Sequence, residues 1–290
     1  MSWRTVVVSS SSKLDYHLGY LVIRNEKTTK IHLGEIEILI IESTATSLTA
    51  VLLCELVKQK IKVIFCDEKR NPISELLSYR CSHDSSAKIR KQIEWSDEIK
   101  SNIWTEIVAE KIRNQARHLE KWNLEESRIL HEYEKEMKPG DASNREGHAA
   151  KVYFNALFGK EFTRSSENSI NAALNYGYSI FLSGFNREIC ANGYLTQIGL
   201  FHDNMFNPFN LASDLMEPYR TIIDYKVKIM KPEKFEKEEK ENILTVLQNE
   251  VIISGRKELI SNAIKIYCKS VFDAINEKDS ALLKFYRNEL

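Results

Sequence analysis

The feature that most constrains the fold is a change of hydrophobic period about a quarter of the way along the chain. "TVVVSS", "YLVIRN" and "IEILIIES" are β-branched or alternating runs bounded by Ser, Asn, Lys and Gly, as in strands. "SLTAVLLCELVKQK" spaces Leu48, Val51, Leu52, Leu56 and Val57 like a helix, with Ser47 as its expected cap. "KVIFCD" (Lys62 to Asp67) returns to a strand, and "EKRNP" is a turn closed by Pro72. From about Ser85 the strand signal is gone. Residues 85–122 contain no Gly or Pro, and Ile89, Ile93, Ile99, Ile103, Trp104, Ile107 and Ile112 mark helical spacing.

"EMKPGDASN" breaks that block, and a second helical block reaches about Phe158. "INAALNYGYSIFLSGFNREICANG" is a long apolar helix stopped by Gly193, "FHDNMFNPFN" is a loop, and "SDLMEPYR" resumes a helix. The charge run Lys231 to Glu241 reads as a solvated loop or helix start, and two further helices separate near Ser254 and Gly255. The expected architecture is α+β: a small N-terminal β-sandwich-like domain over 1–81, a helical linker over 82–100 and an all-α domain over 101–290.

With 290 residues the chain can bury one large core or two modest ones. Lys plus Arg (41) equals Asp plus Glu (41), which excludes a generally basic coat but leaves room for a local basic patch. Cys54, Cys66, Cys81, Cys190 and Cys268 are odd in number and scattered. They indicate neither a disulfide framework nor a zinc ribbon, and a reducing cytoplasm suits them. No apolar run approaches the roughly 18 residues of a membrane span, and "MSWRTVVVSS" reads as a first strand, being too short and polar for a signal peptide.

Three places carry chemistry. Glu146 stands near a helix start, where Ser143-x-x-Glu146 fits a capping box first, the alternative being a carboxylate that points into a cleft and binds a metal. His148, two residues on, points away from it. His202 leads the aromatic-flanked loop, either as a hydrogen-bonded core histidine or as a ligand, with Asp203 beside it to orient the ring. Asp214 and Glu217, at i and i+3, share a helix face, either as ligands or as helix-start acids with Glu217 paired to Arg220. Pro218 keeps the helix start close to them. Two or three carboxylates and one imidazole suit Mg²⁺ or Mn²⁺, the imidazole favouring Mn²⁺.

The same residues resemble the universal CRISPR adaptation integrase family, also called CRISPR-associated endonuclease one. The resemblance rests on Glu146-Gly147-His148-Ala149-Ala150-Lys151-Val152-Tyr153-Phe154, then Gly199-Leu200-Phe201-His202, then Asp214-Leu215-Met216-Glu217-Pro218-Tyr219-Arg220. Tyr219 in place of phenylalanine is the one departure. "KVIFCDEKRNP" also matches, so the resemblance spans nearly the whole chain. The opening "MSWRTVVVS" and the compact length resemble the type II form. The resemblance implies Glu146, His202 and Glu217 as metal ligands and catalytic residues, with Asp214 acting behind them. It implies insertion of DNA fragments into a CRISPR array, by attack of a 3′-hydroxyl on repeat phosphodiesters. It further implies a homodimer through the β domain, assembled with a small second universal adaptation protein, and, for the type II form, the effector nuclease and an accessory adaptation protein as partners. Lys151, Arg187 and Arg220 are candidate phosphate contacts, and Lys88, Arg90 and Lys91 could serve the same end. The residues also allow a metal-dependent nuclease for branched or damaged DNA, or a non-catalytic helical DNA-binding scaffold.

Overall fold

The computed structural model describes residues 4–76 and 82–287. Residues 1–3 of the expected first strand, and the expected domain boundary at Cys81, lie outside them. The chain divides into two compact units, residues 1–81 and 82–290.

In the first unit the strands are β1 (Arg4–Val8), β2 (Lys13–His17), β3 (Tyr20–Arg24), β4 (Thr28–His32), β5 (Ile36–Ile41), β6 (Ser47–Leu48), β7 (Lys62–Cys66) and β8 (Pro72–Leu76). One sheet has the order β1-β5-β7-β8 and the other β4-β3-β2-β6. β5 runs parallel to both β1 and β7. Its apolar run is buried along nearly its whole length, as a central strand covered on both faces requires. Val6, Leu39 and Val63 from one sheet join Leu14, Leu21 and Ile31 from the other in a single core. Helix α1 (Ala50–Lys58) adds Leu52 and Leu56 to it. Its cap is Thr49, which accepts from Leu52 N, and not Ser47, which lies in β6. Pro72 begins an edge strand, where its missing N–H costs no ladder bond.

The second unit contains α2 (Ser85–Ile93), α3 (Asp97–Lys121), α4 (Ser127–Lys135), α5 (Arg145–Phe158), α6 (Ser169–Ala191), α7 (Asn210–Leu215), α8 (Arg220–Met230), α9 (Lys237–Leu244) and α10 (Ile260–Glu277). The expected stop of α6 holds, Gly193 following its end with φ +85°, and at its start Asn168 caps the helix by accepting from Asn171 N. Helix α3 is the axis of the unit, packed by α4, α5, α8 and α10. Its Ile103, Trp104, Ile107, Val108 and Ile112 are buried, but so are Glu110, Lys111, Asn114, Gln115 and His118. Among the described residues no helix is long and apolar enough to cross a membrane.

Two expectations are corrected. Residues 82–100 are not a separate linker, because α2 is bolted into the helical unit. Buried Gln92 donates to the carbonyls of Leu195 and Ile198 and accepts from Leu195 N, satisfying three backbone groups at once. The helical unit is also not all-α. β9 (Glu250–Ile253) and β10 (Arg256–Leu259) form an antiparallel hairpin across Ser254 and Gly255. Both turn residues have positive φ, 52° and 74°, as a two-residue hairpin turn needs. The Ser-Gly pair therefore separates strands, not helices.

Candidate active site

The three motifs converge on α3. At the start of α5 the expected capping box does not form: Asp141 accepts from Arg145 N at 2.7 Å and from Glu146 N at 3.0 Å, while Ser143 Oγ is buried without a partner. With Asp141 doing the capping, the Glu146 carboxylate turns inward to Lys111, Oε1 lying 2.6 Å from Nζ. His148 is exposed, its ring 6.2 Å from that of Tyr133.

The second motif is a tight turn around one carboxylate. Asp214, fully buried, accepts from the backbone N–H groups of Leu200 (2.6 Å), Phe201 (3.1 Å) and His202 (3.2 Å). Its Oδ1 also lies 2.5 Å from His202 Nδ1. Asp214 therefore orients the imidazole, and Asp203, exposed on the loop, is not the orienting acid. A Cβ on Gly199 would stand 2.4 Å from the His202 carbonyl oxygen and 2.7 Å from Asp214 Oδ2, so only glycine fits this turn. Phe201 stacks on Trp104 of α3 at 4.7 Å, and His202 meets both rings edge-on.

Between α7 and α8 the chain tightens into a 3-10 turn, Glu217–Tyr219, that points Glu217 at α3. Asn114 and Tyr286 hold this turn by donating to the Pro218 carbonyl. Glu217 Oε2 lies 2.5 Å from Lys111 Nζ, and Arg220 Nε donates to its Oε1 at 2.8 Å. The Glu217–Arg220 pair and the inward-facing cluster thus coexist.

The electrostatics follow. Burial opposes ionisation of Glu217, but Arg220 and Lys111 outweigh it and hold the carboxyl down at about 2. Burial likewise opposes the Lys111 charge, and Glu217 and Glu146 overcome it, raising the ammonium above its ordinary range. The hydrogen bond to Asp214 raises His202; burial opposes, and the charges of Asp214, Glu217 and Glu146 add to the rise. A cavity beside Glu217 is lined by Lys111, Gln115, Arg164, Tyr178, Arg220 and Asp224. Buried in it, Asp224 accepts from the Tyr178 hydroxyl and is pushed up to about 6 by desolvation.

Lys111 was not visible as a site residue in the sequence. The available signal was its position, seven residues after Trp104 and four after Ile107, on the apolar stripe of α3. Of the candidate phosphate contacts, Lys151 is exposed on α5. Arg187 is tied to Glu188 at 2.9 Å, and Arg220 is committed to Glu217 and to the Tyr178 ring, 4.7 Å away. In α2, Lys88 pairs with Asp84, while Arg90 and Lys91 are exposed.

Among the described residues no three His, Cys, Asp or Glu side chains are grouped to hold a metal ion. Yet the donor set suits a hard divalent cation: two carboxylates face one point, held there by an ammonium, with an oriented imidazole whose ionisation both of them influence. The Lys111 ammonium lies between the two carboxylates.

Residues 5–255 match the family described as CRISPR associated protein Cas1. The CRISPR-associated endonuclease Cas1 of Neisseria meningitidis serogroup C (strain 8013) is 37% identical over 229 residues, covering 78% of this chain and 75% of that protein. Two solved structures share the fold. A chain of a Cas6-RT-Cas1–Cas2 complex superposes with a TM-score of 0.76 at 17% identity, over 99% of this chain but 36% of that longer one. A casposase bound to integration product superposes with a TM-score of 0.77 at 18% identity, over 96% of this chain and 92% of that one. With residues 5–255 matched to the family and 37% identity to a curated endonuclease over 229 residues, the chain belongs to the CRISPR-associated protein Cas1 family.

Proposed function

We propose that this protein is a metal-dependent DNA integrase and endonuclease of CRISPR adaptation. The observation that carries the reading is the Lys111 ammonium between Glu146 and Glu217, beside an imidazole fixed by Asp214. It shows two carboxylates already ordered around positive charge. Glu146, Glu217 and His202 Nε2 would hold Mg²⁺ or Mn²⁺ once Lys111 swings aside. The bound ion would supply Lewis-acid polarisation of a phosphodiester and a more acidic attacking hydroxyl. Family membership and the two structural neighbours, one a Cas6-RT-Cas1–Cas2 complex and one a casposase bound to integration product, support the same reading.

In the reaction the 3′-hydroxyl oxygen of a DNA fragment bonds to phosphorus and loses its proton to solvent, while the bond to the departing 3′ oxygen of the cut strand breaks and that oxygen takes up a proton from solvent, so one phosphodiester replaces another. Water in place of the hydroxyl gives cleavage. The chain's own contribution is positioning. Asp214 fixes the His202 ring, and Arg220 keeps Glu217 ionised. The Lys111 ammonium, once freed from the two carboxylates, would serve as a charge partner for the phosphate. Assembly as a homodimer with a small second adaptation protein belongs to the same proposal.

The test is strand joining against cleavage on one DNA substrate, titrated with Mn²⁺ and Mg²⁺. Glu217→Gln and His202→Ala should each lose orders of magnitude in both reactions. Cleavage without joining would favour a repair-type nuclease. DNA binding indifferent to metal, with both variants unaffected, would leave a scaffold and overturn the proposal.

A further inference from the structure

Directly after His202 the chain presents large apolar side chains to solvent. Met205 and Phe206 are each 86% exposed, and Phe201 52%. Exposure of this kind often marks a floppy loop, but here the backbone is braced from within. Asn204 Oδ1 accepts from Phe206 N at 2.9 Å, and Asn207 N donates to the Asn204 carbonyl at 2.9 Å. Asn207 Oδ1 accepts from Phe209 N at 2.9 Å. Asn210 Nδ2 donates to the carbonyls of Gln197 and Asn204, both at 3.0 Å, and Thr196 Oγ1 donates to the Pro208 carbonyl at 2.8 Å. Three asparagines thus spend their amides on holding a tip whose two outermost side chains touch little of the protein. Holding a methionine and a phenylalanine in water in this way is costly unless something covers them.

We propose that the Met205–Phe206 tip is a wedge for nucleobases, stacking against or between bases next to the phosphodiester under attack. The inference rests on the DNA reading of the site given above. Reach supports it. Phe206 is four residues from His202, so its Cα lies within roughly 14 Å of that of His202 even for an extended chain. That is at most about four base steps of 3.4 Å. Charge supports it too. From Leu195 to Tyr219 there is no Lys or Arg, and Asp203 is exposed beside the tip. A loop meant for the phosphate backbone would carry cations; this one suits the uncharged faces of bases. Size argues against a protein occupant. Two side chains fall far short of the roughly 800 Å² per partner that a stable protein interface buries. Methionine and phenylalanine are, by contrast, the side chains that proteins insert at unstacked base steps. The wedge would make the target strand bend or open where the chemistry needs access, and favour steps that unstack easily.

The test uses the full-length protein and duplex DNA carrying 2-aminopurine next to the scissile phosphate. Binding is read without divalent ion, so the result does not depend on turnover. Wild type should raise 2-aminopurine fluorescence, and the Met205→Ser/Phe206→Ser double variant should not. Phe206→Trp should restore the signal. In the joining assay, the double variant should lose about ten- to hundredfold on paired DNA, the scale of one or two lost base stacks. It should lose only a few-fold when the base pair beside the scissile phosphate is already mismatched. Equal fluorescence in wild type and double variant overturns the wedge, as does an equal activity loss on paired and mismatched DNA. A change in oligomeric state with unchanged fluorescence would overturn it in favour of a protein contact. Failure of wild type to act on DNA with any divalent ion would instead strike the proposed function, leaving the fluorescence comparison to decide the wedge.

Discussion

His202 Nδ1 lies 2.5 Å from Asp214 Oδ1, and the same buried carboxylate collects the three backbone N–H groups that precede and include the histidine. With Nδ1 engaged, Nε2 is the nitrogen left for a ligand or a proton, and Asp214 fixes where it points. Asp214→Asn would turn an amide NH₂ toward donors. We expect joining activity to fall by about 10- to 100-fold, the usual cost of losing a partner of a metal-binding histidine. The pH profile should move as well. Asp214 holds the imidazole above its ordinary 6.5, and an imidazolium cannot bind a metal, so divalent-ion affinity drops as pH falls through the His202 pKa. In Asp214→Asn that pKa comes down, and the acid limb of the activity profile should shift to lower pH. An unmoved acid limb would show that Asp214 does not govern the ring.

The turn itself can be tested through its glycine. Gly199→Ala places a Cβ against the His202 carbonyl and Asp214, neither of which can yield without breaking the cluster. Overpacking of this kind costs roughly 1–3 kcal/mol, and activity should fall with it. Gly184, inside α6, is the control. Its added Cβ would meet Ile264 at an ordinary 3.7 Å. Gly184→Ala should be neutral or stabilise by about 0.5–1 kcal/mol through helix propensity. Urea melts of both variants decide the matter; equal effects would mean the turn tolerates more than its geometry suggests.

These contacts show what was readable in the sequence. β5 was evident because "IEILII" is apolar at every position but Glu37, as a strand buried on both faces over most of its length must be. β2 and β4 were not: only Leu14 in "KLDYH" and Ile31 in "TTKIH" are buried, and their remaining residues read as loop. The β9–β10 hairpin hid in strands of four residues beside a long helix. Glu146, His202 and Glu217 stood out by their motifs, and Asp214 by its spacing. The partners that set their charge states come from tertiary structure. Lys111 lies among "VAEKIRN", where a lysine usually faces water, and only the inward face of α3 makes it the centre of the cluster.

Asp224 predicts a second pH effect, on stability. Burial raises its carboxyl to about 6 from an ordinary 3.8. The native state then holds the proton more tightly than the unfolded state, so the contribution is intact below about pH 4 and is lost as pH rises through about 6. Two pKa units correspond to roughly 3 kcal/mol above that window. Asp224→Asn removes the ionisation while keeping an acceptor for the Tyr178 hydroxyl. The stability difference between variant and wild type should move by about 2–3 kcal/mol in favour of the variant between pH 4 and 7.5. Denaturant unfolding at both pH values measures it, and a pH-independent difference would mean that Asp224 is ionised throughout.

The sharpest test concerns Lys111. Its ammonium lies 2.6 Å from Glu146 and 2.5 Å from Glu217, in a position that a divalent ion would claim. Lys111→Met keeps the length of the side chain and removes its charge. Two carboxylates would then face each other with Arg220 as the counter-ion on Glu217 alone. Breaking a buried charge cluster typically costs about 3–5 kcal/mol, and in a protein of this size each kcal/mol lowers Tm by roughly 2–4 °C. Added Mn²⁺ should reverse much of that loss, because a ligand that binds only the folded state stabilises it by mass action. Wild type should respond less, since its own ammonium must first be displaced. The double variant Lys111→Met/Glu146→Gln should regain some metal-free stability and lose the Mn²⁺ response. If Lys111→Met melts low and stays low at saturating Mn²⁺, the lysine is a structural counter-ion and the two glutamates do not form the metal site.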